Sequence, residues 1–201
     1  LPLRVIPFSF TERISILLLI SVHNELSRLP FFYARSVEFH GHSCPGLIIG
    51  IKAAMYVMEL FHEAFSEDEE LVCVAENDAC GVDAIQSILG CSVGKGNLLF
   101  RMRGKHAYTF YCRKTGQSAR LVLRPLVDMT AKEKNDYLCK TAAADLFEIK
   151  PAQPLPEKAR IFKSMTCECC GEQTAEYYTR NENGKIVCLD CVHPYNRFLL
   201  I

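Results

Sequence analysis

Apolar residues recur at helical spacing in two segments near the start of the chain, and each segment predicts a helix. The first helix is expected to end at Pro30, and its apolar face consists of Ile14, Leu17, Leu18, Val22, Leu26 and Leu29. That face must be buried either on the protein's own core or on a second subunit. The second helix runs from Leu47 to Phe65 and has only a narrow polar stripe, so we expect it to be buried on most sides.

Shorter apolar runs alternate with turn residues in the middle of the chain. Leu71 to Asn77 is typical of a buried strand, and the segment after it predicts a short helix that ends at Gly90. Three further strands joined by short turns predict an antiparallel meander, and they run from Asn97 to Arg103, from His106 to Arg113 and from Ser118 to Arg124.

A capping box, Thr130-x-x-Glu133, starts the last predicted helix of this region. The apolar face of that helix is formed by Leu138, Ala142, Leu146 and Ile149. The order of helices and strands predicts an α+β fold, in which helices pack on an antiparallel sheet core, rather than an alternating parallel sheet.

Prolines at positions 151, 154 and 156 stiffen the segment that follows, which predicts a linker between two domains. The predicted organisation has an N-terminal extension with its helix at 1–30, an α+β core at 31–150, a linker at 151–160 and a small zinc-finger domain at 161–201.

The clearest chemical pattern lies in this last segment, where two Cys-x-x-Cys motifs flank a polar hairpin with Asn183-Gly184 at its turn. The motif residues are Cys167, Cys170, Cys188 and Cys191. Four thiolates at this spacing are typical of a closed, structural zinc site. Because so short a segment cannot build a sufficient core, we expect zinc to supply much of its folding free energy, with Cys169 as the spare thiol.

Composition narrows the class of protein and its compartment. Lys and Arg total 23 and Asp and Glu also total 23, so no net charge draws the chain to nucleic acid or to an anionic membrane. Of 11 cysteines, four lie in the paired motifs, and the others show no disulfide framework, which indicates an intracellular, metal-binding protein. The apolar run 16–20 is shorter than the roughly 20 residues that a transmembrane helix needs, and charged neighbours argue against a signal peptide. We therefore expect a cytoplasmic protein without a membrane segment.

A second group of ligand-type residues lies in the segment His40-Gly41-His42-Ser43-Cys44-Pro45. Pro45 suits the first position of a helix, which makes Cys44 the capping residue before it. A helix N-terminus lowers a cysteine pKa and makes the sulfur a better metal ligand or nucleophile. If the segment is extended, the alternating side chains of His40, His42 and Cys44 point the same way.

Cys80 occupies a similar position, at the junction between a predicted strand and the helix after it. Cys44 and Cys80 would meet if their two helices pack side by side. The sequence therefore predicts a core site with Cys44, His42 and Cys80 as candidate catalytic residues. The candidate ligands of a second, transition metal are His40, His42, Cys44 and Cys80. Two of these have an alternative role, since His40 could orient His42 and Cys80 could be a small buried apolar residue.

Three polar residues near this site have two interpretations each. Asp78 and Asp83 either orient an imidazole or cap the helix. Lys95 lies in a glycine-rich loop that lacks Walker A spacing, and anion binding by Lys95 as a cofactor contact is the minor alternative to a plain connecting loop.

Three segments together resemble the FmdE family of proteins related to formylmethanofuran dehydrogenase, and they are Phe39-His40-Gly41-His42-Ser43-Cys44-Pro45-Gly46, Asp78-Ala79-Cys80-Gly81-Val82-Asp83-Ala84-Ile85 and Gly94-Lys95-Gly96-Asn97. The resemblance covers residues 31–150, and the C-terminal module resembles the treble-clef zinc finger that some members carry. The resemblance implies an α+β core and intertwined dimers. Through the family's name it also implies a link to the molybdenum enzyme that handles formylmethanofuran in methanogenic metabolism. Residues 1–30 lie outside it.

Two functions of different classes fit these observations. The first is a metal-binding accessory or redox protein of one-carbon metabolism, associated with an oxidoreductase, and it leaves open whether the protein is itself an enzyme. The alternative is a metal-responsive regulatory or adaptor protein that uses its finger to contact another protein. Acidic residues balance the basic ones from Ile161 onward, so we expect protein contact or dimer stabilisation rather than nucleic-acid binding. A homodimer is the expected assembly.

Overall fold

The chain divides into two compact units, Leu1–Lys158 and Ala159–Ile201. The computed structural model describes residues 27–62 and 65–193 of them. The division falls inside the proline-containing segment at 151–160 that the sequence predicts as a linker. Most of the helix predicted before Pro30 lies outside the described residues. Within those residues, no helix combines the length and the apolar character needed to cross a membrane.

Five helices belong to the first unit as the structure describes it: α1 at 27–40, α2 at Pro45–Phe61, α3 at Gly81–Leu89, α4 at Ala131–Lys140 and α5 at Ala143–Leu146. Pro30 lies inside α1, so the prediction that a helix ends at Pro30 is wrong. The burial predicted for α2 is confirmed, since most of its residues are inaccessible to solvent. α2 ends before Phe65 because His62 adopts a left-handed backbone conformation, with φ of 53°.

Five strands form one mixed sheet in the order β2-β1-β3-β4-β5. They are β1 (Leu71–Ala75), β2 (Leu98–Phe100), β3 (Ala107–Cys112), β4 (Ser118–Leu123) and β5 (Phe147–Lys150). The predicted α+β class is confirmed, but the predicted three-stranded meander is wrong in its first member. β2 pairs in parallel with β1 rather than with β3, because the buried β1 takes the central position and satisfies its hydrogen bonds on both edges.

The last predicted helix of this unit is divided into three elements. The capping box of Thr130 and Glu133 is present and starts α4. Thr141 is extended and ends α4, and the chain then forms α5 and the edge strand β5. Ile149 therefore lies in a strand, opposite Leu121, and its predicted place on a helical apolar face is wrong. Pairing with β4 satisfies backbone groups that an isolated helix end would leave without partners.

Close packing of α2 on α3 brings the starts of the two helices together. A methyl group at Gly50 would overlap the backbone carbonyl of Gly81, so the two backbones touch at this point. Elsewhere α2 packs on α4 and on the sheet. Its buried Lys52 donates a hydrogen bond of 2.8 Å to the carbonyl oxygen of Thr141, which satisfies the ammonium group in the core.

The second unit contains two small hairpins, with strands β6 (Ser164–Thr166), β7 (Gln173–Ala175), β8 (Thr179–Glu182) and β9 (Lys185–Cys188). A short 3-10 helix, Glu176–Tyr178, separates the hairpins. The turn predicted at Asn183-Gly184 is confirmed, with φ of 52° and 82° at the two residues. Cys167, Val187 and Cys188 form the small buried cluster of this unit.

Candidate functional site

Three metal-ligand side chains meet in the first unit, where α1 ends and where α2 and α3 begin. They belong to His40, Cys44 and Cys80, and their ligand atoms all lie within 4.8 Å of one another. All three side chains are partly buried. Among the residues that the structure describes, no fourth His, Cys, Asp or Glu joins this core group.

Local backbone geometry places the first two residues of the core group. His40 is the last residue of α1, and Gly41, with φ of 91°, turns the chain away from that helix. Cys44 is extended and Pro45 starts α2, while the N–H group of Leu47 donates to Cys44 Sγ over 3.4 Å. The predicted role of Cys44 as the N-cap of a helix is therefore confirmed.

The third residue of the core group, Cys80, lies directly before α3. An Asx turn supports this junction, since Asn77 Oδ1 accepts a hydrogen bond of 3.0 Å from the N–H group of Ala79. A methyl group placed on Gly46 would lie 3.9 Å from Cys44 Sγ and 3.8 Å from Cys80 Sγ, so only glycine's small size separates the two sulfurs from α2. The predicted convergence of Cys44 and Cys80 by side-by-side packing of their helices is confirmed.

The spacing of the core group fits a metal ion. Tetrahedral zinc with Zn–S bonds of about 2.3 Å separates neighbouring ligand atoms by about 3.8 Å. Cys44 Sγ and His40 Nε2 are 4.0 Å apart, close to that separation. Two sulfurs and one imidazole nitrogen with no fourth protein ligand among the described residues match a site that keeps a coordination position for a small ligand.

His40 is oriented by a carboxylate on a different helix. Its Nδ1 lies 2.7 Å from Oδ2 of Asp83 in the first turn of α3, and Oδ1 of Asp83 accepts a hydrogen bond of 3.2 Å from Gln86. A carboxylate at this position places the ring proton on Nδ1 and leaves Nε2 with a free lone pair facing Cys44. Of the two aspartates that the sequence offered for this role, Asp83 fills it and Asp78 is exposed.

The structure does not bring His42 into the core group. Its ring lies against the ring of His40, with centroids 4.5 Å apart and planes inclined by 37°, and it is exposed to solvent. The predicted alternation of His40, His42 and Cys44 requires an extended segment, whereas His40 is helical and Gly41 forms a turn. His40 therefore takes the position that the sequence assigned first to His42.

Burial affects the thiols of the core group. The pKa of Cys80 is raised by desolvation, and a hydrogen bond and charge interaction with Cys44 raise it further. The sequence expectation of a lowered pKa from the helix N-terminus is wrong for Cys80. Without a positive charge between them, the two thiols disfavour each other's ionisation, and a bound cation reverses that balance.

Lys95, the predicted anion-binding residue, is engaged by the protein itself. Its ammonium group donates to the carbonyl oxygens of Ser66 and Glu67, over 2.8 and 3.4 Å, and lies 5.4 Å from the ring centroid of Phe65. These contacts tie the glycine-rich loop to the segment before β1. The geometry corresponds to the plain connecting loop that the sequence favours.

Cysteines outside the two ligand groups have packing roles in the first unit. Cys73 and Cys112 are buried in strands, as predicted. Cys91, which the sequence left ambiguous, is also buried, and desolvation raises its pKa to about 12. Cys139 is partly buried on α4.

The second unit holds a closed group of four thiols with ligand atoms within 4.8 Å of one another, from Cys167, Cys170, Cys188 and Cys191. The sulfurs of Cys170 and Cys188 are 3.9 Å apart, near the separation of about 3.8 Å in a tetrahedral zinc site. Backbone N–H groups of Cys170 and Cys188 lower the pKa of Cys167 to about 6. The predicted spare, Cys169, is exposed and lies outside the group of ligand atoms.

One feature beside the core group has no counterpart in the sequence predictions. A cavity of about 730 Å³ adjoins the start of α2, and Pro45 and Gly46 form part of its wall. Three basic residues also line it, Lys105, Arg124 and Lys134. No sequence pattern predicts this cavity, because the basic residues come from separate segments that only the fold brings together.

Fold and sites define a class of protein with a Cys/His group in an α+β core and a four-cysteine zinc finger behind it. The chain belongs to the FmdE family, because residues 39–165 match the sequence model described as "FmdE, Molybdenum formylmethanofuran dehydrogenase operon". Residues 160–197 match the "Prokaryotic dksA/traR C4-type zinc finger". The family resemblance predicted from the three sequence segments is confirmed.

Two similar proteins extend these matches. A "Probable S-adenosyl-L-methionine-binding protein" of Archaeoglobus fulgidus is 28% identical over 207 residues, which cover 86% of this chain and 55% of that protein. The chain thus spans about half the length of this curated relative. The crystal structure of an FmdE-like protein of tungsten formylmethanofuran dehydrogenase from Syntrophus aciditrophicus matches with a TM-score of 0.58 and 23% identity, over 79% of this chain and 89% of that one. At this identity the likeness shows the fold alone.

Proposed function

We propose that this protein binds a transition metal ion in its core through His40, Cys44 and Cys80, and acts as a metal-dependent accessory or redox protein. The observation that carries the proposal is the meeting of three ligand atoms within 4.8 Å. A pair of thiols alone would suggest disulfide chemistry. The added imidazole, held by Asp83 through a 2.7 Å hydrogen bond, favours a metal site instead.

Zinc is the metal that this donor set fits best, because two thiolates and one imidazole with an open position is a known zinc arrangement. A metal ion held there acts as a Lewis acid toward a water molecule or small ligand at its fourth position. The chain's own residues prepare the site. Asp83 accepts the proton of His40 Nδ1, and the N–H group of Leu47 points at Cys44 Sγ, where it stabilises the thiolate.

The proposed context is one-carbon metabolism, in which the family's name includes a formylmethanofuran dehydrogenase. An accessory role beside an oxidoreductase fits a chain in which the metal group lies at the ends of helices, open to a neighbouring cavity. We also propose a homodimer as the assembled form. The exposed side chains of Phe31 and Phe39 on α1 offer apolar area for such an interface.

The test is metal content of the full-length protein and of four single variants, measured by elemental analysis after treatment with a weak chelator. We expect two metal ions per chain in the unchanged protein and one in His40→Ala and in Cys44→Ala. His42→Ala is the matched control and should retain both ions, because its ring lies outside the core group. Cys188→Ser should lose only the ion of the finger.

One outcome would contradict the core site directly. If the unchanged protein holds a single zinc ion and Cys188→Ser removes it, the core group binds no metal. Binding of Co²⁺ offers a second readout, because thiolate ligands give Co²⁺ an intense charge-transfer absorption. That absorption should fall in Cys44→Ala and stay unchanged in His42→Ala.

A second candidate function uses the finger as a contact surface for another protein. Its described residues expose three aromatic side chains in one group, since the ring of Tyr177 stacks on Phe162 at 5.4 Å and meets Tyr178 edge-on at 5.2 Å. From Ile161 onward, the described basic residues are outnumbered by acidic ones: Glu168, Glu172, Glu176, Glu182 and Asp190 stand against Lys163, Arg180 and Lys185. Such a surface neutralises phosphates poorly and suits a protein partner.

Fluorescence anisotropy with labelled DNA and RNA duplexes of mixed sequence separates the two kinds of partner. At low salt we expect no binding to either duplex at micromolar protein. Binding that weakens steeply as salt is added would contradict a protein-contacting finger, because such salt dependence is the signature of phosphate contacts.

A further inference from the structure

The cavity beside the start of α2 has the size and wall of a small-molecule site. Its volume of about 730 Å³ lies in the range of roughly 300 to 1,000 Å³ that such sites occupy. Apolar side chains from three parts of the fold form much of the wall, among them Ile49 of α2, Val122 of β4 and Leu126. An apolar body placed there would leave water on several sides at once.

The charges of this wall have one sign. Lys105, Arg124 and Lys134 line the cavity, and no Asp or Glu is among the described residues that do so. Within residues 27–62 and 65–193, none of the three side chains donates a hydrogen bond or forms an ion pair. Glu76 attracts Lys105, but both carboxylate oxygens of Glu76 are already held by Arg120, at 2.6 and 2.8 Å.

We propose that this cavity binds a small organic anion. The apolar body of the anion lies on Ile49, Val122 and Leu126, and its carboxylate or phosphate group is held by Lys105, Arg124 and Lys134. Arginine suits this role because its guanidinium group can donate two parallel hydrogen bonds to either head group. Three uncompensated cations around an apolar wall favour an anion over a neutral molecule of the same shape.

The position of the cavity relates it to the core group without depending on a metal. Gly46 lines the cavity, and a methyl group at that residue would contact the sulfurs of both Cys44 and Cys80. A bound anion would therefore lie beside the core group. The inference goes beyond the proposed function and does not rest on it, because the wall and its charges are present with or without a metal ion.

Isothermal titration calorimetry of the full-length protein with three matched probes tests the proposal. The probes are 2-naphthoate, 2-naphthyl phosphate and the neutral 2-naphthamide. We expect one anionic probe per chain and at least about tenfold weaker binding of the amide, since a charge-assisted hydrogen bond is lost. The tighter of the two anions identifies the preferred head group, and equal binding of all three probes would overturn the proposal.

Variants locate the binding to the cavity. Arg124→Gln and Lys134→Gln should each weaken the anionic probes by about tenfold and leave the amide unchanged. Lys132→Gln is the matched control, because Lys132 lies on the same helix, is exposed and does not line the cavity. Equal weakening in Lys132→Gln and Lys134→Gln would overturn the proposal, because it would show a general charge effect.

A further variant separates this inference from the metal proposal. Cys44→Ala removes the proposed metal ligand and leaves the three basic residues in place. Anion binding should persist in this variant, provided that circular dichroism shows a folded protein. Loss of anion binding in folded Cys44→Ala would overturn an independent anion site, whereas unchanged metal content with retained anion binding would contradict only the metal proposal.

Discussion

His40 and Asp83 lie 43 residues apart in the chain, and their side chains are joined by a hydrogen bond of 2.7 Å between Nδ1 and Oδ2. The contact links the end of α1 to the first turn of α3 and faces His40 Nε2 toward Cys44 Sγ. Asp83 is thus a positioning residue for the core group. Its contact with His40 depends on the same helix packing that brings Cys44 and Cys80 together.

Asp83→Asn should weaken metal binding at the core by about 10- to 100-fold, because carboxylate partners of metal-bound histidines typically contribute that much. Competition with a chromophoric chelator measures the affinity, and the finger provides an internal standard that should not change. Asp78→Asn is the matched control, since Asp78 is exposed two residues before Cys80. Equal affinities in Asp83→Asn and Asp78→Asn would show that the carboxylate of Asp83 does not support the metal.

Removal of zinc from the finger should unfold the second unit and leave the first unit folded. Four thiols and the small cluster of Cys167, Val187 and Cys188 form most of its interior among the described residues, so the metal ion is its main source of stability. Hydrogen exchange measured by mass spectrometry should show full exchange at 160–193 after chelation or in Cys188→Ser. Protection of that range in Cys188→Ser would contradict a metal-dependent fold, and protection in α2 serves as the control.

Gly50→Ala should destabilise the first unit by about 1–3 kcal/mol, the usual cost of overpacking, because its methyl group would overlap the carbonyl oxygen of Gly81. Urea unfolding followed by circular dichroism measures the change. Separation of α2 from α3 should also lower the metal affinity of the core group. Gly94→Ala is the control, since a methyl group at Gly94 meets no atom within 4 Å. Equal stability of Gly50→Ala and the unchanged protein would contradict backbone contact between the helices.

Arg120→Met should destabilise the first unit by about 3–5 kcal/mol at neutral pH, because it leaves the buried carboxylate of Glu76 without its partner. Hydrogen bonds from Arg120 hold the pKa of Glu76 below its ordinary value. The native state therefore favours the ionised form. This stability is fully present above the pKa of an unfolded glutamate, about 4.3, and is lost as the pH falls through the lower pKa of the folded state.

Urea unfolding at several pH values from neutral to acidic checks this dependence. The difference in unfolding free energy between the unchanged protein and Arg120→Met should shrink as the pH falls. The double variant Glu76→Gln with Arg120→Met is the control and should recover part of the lost stability, because it removes the unpaired charge. A difference that stays constant at all pH values would show that the ion pair contributes nothing through ionisation.

Patterns that depend on a few neighbouring residues were predictable. The Cys-Pro pair placed Cys44 at a helix start, the capping box placed α4 at Thr130, and Asn183-Gly184 marked a hairpin. Two Cys-x-x-Cys motifs were enough to assign the ligands of the finger, because their spacing and the hairpin between them are local properties. In each case the backbone preference of one or two residues selects the structure.

Pairing between distant segments was not predictable in the same way. β2 lies beside β1 rather than β3, and Ile149 lies in a strand rather than a helix. Short strands carry little information about their partners, because the pairing free energy comes from neighbours that the sequence order does not reveal. The core group shows the same limit, since the backbone turn at Gly41 selected His40 over His42.

The sequence by itself determined the types of ligand this protein carries, the four cysteines of the finger and the two helix starts at which Cys44 and Cys80 lie. Only the tertiary structure decided that His40 joins them, that Asp83 orients His40, and that three basic side chains share one cavity. The physical reason is that helix capping and metal-binding spacing are written in short stretches of backbone. The meeting of distant side chains depends on close packing, here the contact between Gly50 and Gly81.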